Sequence, residues 1–251
     1  DLPLSRGLGD VYKRQLCNHS IVGLRQEPSD RSELTSQLLY GECFKVLEHR
    51  KKWSKIRLSF DKYEGWIDNK QFQWIEKSDY SRLSSQDEIF CADLVNLITD
   101  ANKQLQPIVL GSILNANALL NHHFEGEKLT GKKNKEQLIE TALMYLNAPY
   151  LWGGKTPFGI DCSGFTQMVY RLNGFKLMRD ASEQATQGDA LSFIEESSPG
   201  DLAFFDNKEG TITHVGIIMK NNHIIHAHGK VRIDRLDQTG IYNVDLRTHS
   251  H

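Results

Sequence analysis

One cysteine and several histidines stand in the second half of this 251-residue chain at spacings that suit nucleophilic catalysis. Cys162 stands in FGIDCSGFTQMVYRLNG, residues 158–174, where a glycine-containing loop passes into an amphipathic helix. Amide dipoles at a helix N-terminus favour thiolate over thiol, and the thiolate is the nucleophile. A free cysteine more often packs as a small hydrophobe. Cys162, however, falls off the apolar face formed by Phe165, Met168, Val169 and Leu172, and its neighbours Asp161, Ser163 and Gly164 suit an exposed position beside a cleft. A cysteine nucleophile also needs a base. With residues 220–222 as a hairpin turn, His214 on one strand points to the same side as His226 and His228 on the next. Spacing does not choose between His226 and His228. Tyr150, upstream of the cysteine, adds a phenolic donor. Cysteine, histidine and a third orienting polar group are what acyl transfer requires. The reading requires an ionised Cys162 sulfur facing a groove that His214 and His226 both reach.

The elements that must position these groups follow from patterning. Residues 134–147, NKEQLIETALMYLN, predict a helix with Asn134 as N-cap, Gln137 three residues on, and Leu138, Ala142, Tyr145 and Leu146 on one face. The helix carrying Cys162 stops at Asn173-Gly174. Four strand-like runs follow, DLAFF, THVGIIM, HIIHAHG and VRIDRL, so residues 132–251 predict an α+β domain with helices first and an antiparallel sheet after. Upstream, residues 16–76 read as short strands between turns, a small all-β barrel. Residues 77–131 read either as a degenerate second barrel or as an elaborated linker, ending in the glycine- and lysine-rich GEKLTGKKNKEQ.

Several residue runs resemble known families. LLYGE, WSKIRL and YEGWI in that order resemble a bacterial SH3-type domain. DCSGF opening a helix, then PGDLAFF, HVGI and IIHA, resemble the NlpC family of bacterial cell-wall cysteine peptidases, whose core is papain-like. The resemblance implies Cys162 as nucleophile, His214 as base, His226 as the third residue, and Tyr150 with the Cys162 backbone amide as oxyanion hole. It is the residue directly before alanine in IIHA that singles out His226. The barrel followed by PYLWGG, DCSG and RDASEQA is similar to endopeptidases cleaving between γ-D-glutamate and L-lysine or meso-diaminopimelate in peptides with a free L-alanine amine. That similarity implies Tyr63 as the group closing one end of the cleft, Asp161 and Glu27 as receptors for the ammonium, Ser163 for the D-glutamate α-carboxylate, and Asp180 and Ser182 as lining residues. The partners implied are peptidoglycan stem peptides. No metal or organic cofactor is called for. The rivals are an inactive wall-binding module and a thiol acyltransferase on the same core.

Composition narrows the rest. A formal charge of −2 from 30 basic and 32 acidic residues gives no footprint for nucleic acid. No apolar run is long enough for a membrane span. Four scattered cysteines without a CxxC pair are expected to be thiols. His223, His226 and His228 could suggest zinc, but an alternating strand sends His223 to the opposite face. GGKT lacks the earlier glycine of a phosphate loop. Trp53, Trp66, Trp74 and Trp152 could stack on glycans, although core packing accounts for most of them. Residues 1–15, DLPLSRGLGDVYKRQ, resemble translated sequencing adaptor and are expected to be a non-native leader, with the native N-terminus missing and the C-terminus also cut short. A monomer is expected, in the cell envelope or periplasm, with the cytoplasm as the alternative; the choice of lysine or diaminopimelate is not readable.

Overall fold

Alternation of buried and exposed residues builds the first sheet. The computed structural model describes residues 14–250, and the chain divides into one unit up to Lys128 and a second from Leu129. In the first, seven antiparallel strands lie in the order Leu34–Leu39, Ile21–Arg25, Glu64–Asp68, Trp53–Leu58, Cys43–His49, Arg14–Leu16 and Gln73–Trp74. Val22, Leu24, Leu38, Phe44, Val46, Ile56, Leu58 and Ile67 fill the interior, as the period of two along each strand requires. This is the expected SH3-type barrel. Of the expected leader, residues 1–13 lie outside the described residues. Arg14 and Gln15 are strand residues, paired with Lys45 and Phe44.

Residues 77–127 continue the same unit. They form a helix over Lys77–Ser85, an antiparallel hairpin of Val95–Thr99 with Leu105–Val109, and short helical turns at Leu114–Ala116 and Asn117–Leu120. Cys91, Ile98, Ile108, Leu114 and Phe124 pack with Tyr40 of the barrel. Trp66 is buried, whereas Trp74 and Trp152 are exposed. All four cysteines are thiols. No helix among the described residues is long and apolar enough to cross a membrane.

The second unit is α+β. A helix over Gln137–Leu143 begins where the Asn134 side chain accepts from the Gln137 amide at 3.3 Å. Leu138, Ala142 and Tyr145 are buried, but Leu146 is 40 % exposed because the helix ends at Leu143, before that position. Next comes the Cys162–Leu172 helix, with Phe165, Met168, Val169 and Leu172 buried as expected. Gly174 at φ 79° ends it. Six antiparallel strands then follow in chain order as a meander: Leu202–Asp206, Ile212–Met219, His223–His228, Lys230–Asp237, Gly240–Asn243 and Thr248–His249. The hairpin before His223 turns at residues 220–222, where Asn221 and Asn222 adopt φ of 59° and 56°, a conformation asparagine tolerates better than most residues.

Phe165 couples the two helices, its ring meeting Tyr145 edge-on at 6.0 Å. It is fully buried. Phe165→Ala is therefore expected to lower stability by about 3–5 kcal/mol, read as a fall in the urea midpoint with an unchanged slope.

Candidate active site

Cys162 is the first residue of its helix, and its N-cap is Asp161, whose Oδ1 accepts from the Gly164 amide at 2.6 Å. The loop before it lies close against this turn: a Cβ on Gly164 would come within 2.3 Å of the Gly154 carbonyl oxygen. Only glycine permits that approach. On the far side, Cys162 Sγ lies 4.0 Å from the Thr213 carbonyl oxygen, immediately before His214 in the neighbouring strand.

Register aligns the histidines. Gly216 pairs with His226, so His214 sits diagonally across from His226 on the same face. A Cβ at position 216 would fall 2.7 Å from Ile224 Cδ1 and 2.9 Å from His226 Cβ, so the close packing of these two residues there requires glycine. His214 Nε2 lies 2.8 Å from His226 Nδ1. With Nε2 turned to His226, Nδ1 is the other ring nitrogen of His214. His226 is fully buried, and burial holds its pKa below the ordinary histidine value against the pull of Asp234. His228 stacks on His226, the ring centroids 6.1 Å apart. His223, on the opposite face, bonds the Asn221 carbonyl oxygen at 2.7 Å.

Two residues that the sequence reading missed complete the arrangement. Asp234, in the third strand, lies 3.1 Å from His226 Nε2, and Arg232 holds it through Nε at 2.6 Å and Nη2 at 3.0 Å. The signal was there: Arg232 and Asp234 alternate with apolar residues in VRIDRL, on the face that His226 shares. The second is Arg179, 1 % exposed and paired in two places with Asp161. No patterning rule predicts a buried arginine there.

The structure corrects the expected exposure of Cys162. Cys162 is only 7 % exposed, packed with Ala181 and Val215. Burial pushes its thiol up to about 11, the Asp161 charge adds to this, and the Val215 and Ser163 backbone and Arg179 oppose it. Burial first, and the Asp161 charge second, thus favour the thiol over the thiolate. Asp161, expected to take a ligand ammonium, is also held within the chain: Oδ1 accepts from Gly164 N at 2.6 Å and Arg179 Nη1 at 3.0 Å, Oδ2 from Arg179 Nη2 at 2.7 Å and Gly153 N at 2.8 Å. Ser163 is 6 % exposed and its Oγ accepts from Arg179 at 2.9 Å.

Tyr150 stays available as a donor. Its amide donates to the Gly229 carbonyl at 2.9 Å, tying the loop to the end of the histidine strand. Burial pushes its hydroxyl up to about 12, and the charges of nearby Cys162 and Asp161 add to that. Asp180 caps the Ala181–Gln184 turn, and Ser182 within that turn is exposed. In the first unit, Tyr63 rests half-buried on the barrel core and Glu27 is exposed.

Residues 147–248 match the NlpC/P60 family, and residues 24–72 match the bacterial dipeptidyl-peptidase Sh3 domain. The chain is 27 % identical to the gamma-D-glutamyl-L-lysine dipeptidyl-peptidase of Bacillus subtilis, over 77 % of this chain and 72 % of that protein. It is likewise 27 % identical to dipeptidyl-peptidase 6 of Lysinibacillus sphaericus, over 91 % and 94 %. A crystal structure of an NlpC/P60 family protein from Bacillus cereus has the same fold, with a TM-score of 0.74 at 19 % identity over 90 % of this chain and 95 % of that one.

Because burial and Asp161 act on the sulfur independently of the imidazole, His214→Ala should unmask an alkaline thiol. Iodoacetamide alkylation of Cys162 in that variant is expected to inflect well above the ~8.5 of a free cysteine. Rates between pH 6 and 11 check this, and an inflection at or below the free value contradicts it.

Proposed function

We propose that this chain, which carries a bacterial SH3 domain and an NlpC/P60 cysteine peptidase domain, hydrolyses the bond between γ-D-glutamate and L-lysine or meso-diaminopimelate in peptidoglycan-derived peptides with a free N-terminal L-alanine. The observation that carries the reading is the line from Cys162 beside the His214 strand, through His214, to His226 at 2.8 Å. Two relatives named as dipeptidyl-peptidases match across both units, which favours this bond over others that the fold can cut.

The resting thiol sets the order of events. His214 Nδ1 takes the Cys162 proton as the sulfur attacks the γ-carbonyl carbon, forming the C–S bond. The tetrahedral oxyanion is met by the Tyr150 hydroxyl and by the Cys162 amide, one of the first-turn N–H groups that have no partner within a helix. The C–N bond then breaks, and the protonated His214 gives its proton to the leaving α-amine of the diamino acid. Water next loses a proton to His214 and attacks the thioester. The C–S bond breaks, and the sulfur recovers the proton. The dipeptide L-alanyl-D-glutamate leaves with a free γ-carboxylate.

Substrate selection we assign to Tyr63 as the wall beyond the alanine amine, to Asp161 and the exposed Glu27 as receptors for the ammonium, and to Ser163 for the D-glutamate α-carboxylate. Asp180 and Ser182 remain the proposed lining residues. The Asp161–Arg179 pair holds the loop and helix start in place. The proposed place of action is the cell envelope, where stem peptides are released.

Mass spectrometry after incubation with L-Ala-γ-D-Glu-L-Lys, or its diaminopimelate counterpart, is expected to show L-Ala-D-Glu and the free diamino acid. Cys162→Ala should abolish both products; intact tripeptide beside an active control enzyme rejects the hydrolase. Tyr63→Ala should raise the rate on the N-acetylated peptide relative to the free one by about tenfold, the worth of roughly 1.4 kcal/mol. An unchanged ratio removes Tyr63 from amine selection.

A further inference from the structure

We infer that Asp234, anchored by Arg232, is a positioning residue that sets the tautomers of both histidines and thereby makes His214 Nδ1 the basic nitrogen presented to Cys162. The inference rests on the reading of Cys162 and His214 as nucleophile and base.

The three side chains run diagonally across three adjacent strands. His214 reaches His226, and His226 reaches Asp234. Asp234 is fully buried, and it accepts from Arg232 twice, from His226, and from the Val244 amide at 3.3 Å. Arg232 is held in turn by Asn243 Oδ1 at 3.1 Å and Asp245 Oδ2 at 2.9 Å. Burial pushes the Asp234 carboxyl up, but the bonds from His226, Arg232 and Val244 outweigh it and hold the group below the usual carboxylate range.

An ionised carboxylate can only accept, so the proton on the 3.1 Å contact belongs to His226 Nε2. A neutral imidazole has one N–H. His226 Nδ1 is then bare and accepts across the 2.8 Å contact from His214 Nε2. His214 has spent its own single N–H on that bond, and its Nδ1 lone pair is left for the thiol. A donor at position 234 reverses every link: His226 becomes the Nδ1–H form, His214 Nε2 must accept, and His214 Nδ1 carries a hydrogen and cannot act as a base.

The test is Asp234→Asn, read without reliance on any one substrate. Asparagine cannot accept from His226, both Arg232 nitrogens and the Val244 amide together. With a cooperative melt retained, the rate of Cys162 alkylation at pH 7 and kcat for tripeptide cleavage should both fall about 100-fold, within the range of losing a positioned general base, while KM changes little. Nitrogen-15 spectra of labelled imidazoles should show His214 as Nε2–H in the wild type and shifted toward Nδ1–H in the variant. The wild-type spectrum is decisive by itself: Nδ1–H at His214 overturns the inference even if Asp234→Asn does not fold. A double-mutant cycle separates positioning from support of the fold. In His226→Asn the amide oxygen accepts from His214 directly, so adding Asp234→Asn should cost less than about threefold. An equal 100-fold loss in both backgrounds assigns Asp234 to the fold instead. If the tautomers and alkylation respond but no peptide is cut, the substrate proposal fails and the positioning role stands.

Discussion

Side chains alternate along a strand, so a one-residue slip between Ile212–Met219 and His223–His228 would send His214 and His226 to opposite faces of the sheet. The register that prevents this, Gly216 opposite His226, is set by a three-residue turn with two asparagines in the left-handed region. Everything chemical in the second unit is referred to that hairpin. The cysteine helix packs on it, and the next strand delivers Asp234 from its other side. The glycine has a second effect, because the absence of a side chain at 216 lets Ile224 and His226 on the neighbouring strand pack close against it.

Two buried carboxylates flank this hairpin, and each has its own arginine. Asp161 with Arg179 joins the loop, the first turn of the helix and the RDASEQA segment. Asp234 with Arg232 stiffens the far edge of the histidine line. Removing one member of such a pair leaves an uncompensated charge in the interior, which is far more damaging than never having had the pair. Their geometry is consequently specified strongly, and the groups they hold gain fixed directions.

How much of this was legible follows from how local each signal is. The face Phe165, Met168, Val169 and Leu172 repeats at helical period, and the strand runs alternate, so helix, sheet and hairpin could be read directly. The same stripe misled about Cys162: a residue off the apolar face is exposed only if nothing covers the other side, and every residue of this helix except Tyr170 is buried. The partner of Asp161 was hidden for a related reason. Its neighbours in sequence are small, but the guanidinium that pairs with it comes from position 179, through a contact no spacing rule encodes. Asp234 depends on the register of a third strand, which periodicity alone leaves undefined.

A sulfur kept as thiol and covered on nearly all sides has a consequence outside turnover. Oxidation to sulfenic acid proceeds through exposed thiolate, and Cys162 offers neither the charge nor the access until a ligand and His214 draw its proton away. A side chain so covered, with its thiol form favoured, meets peroxide less readily than a cysteine on the surface does.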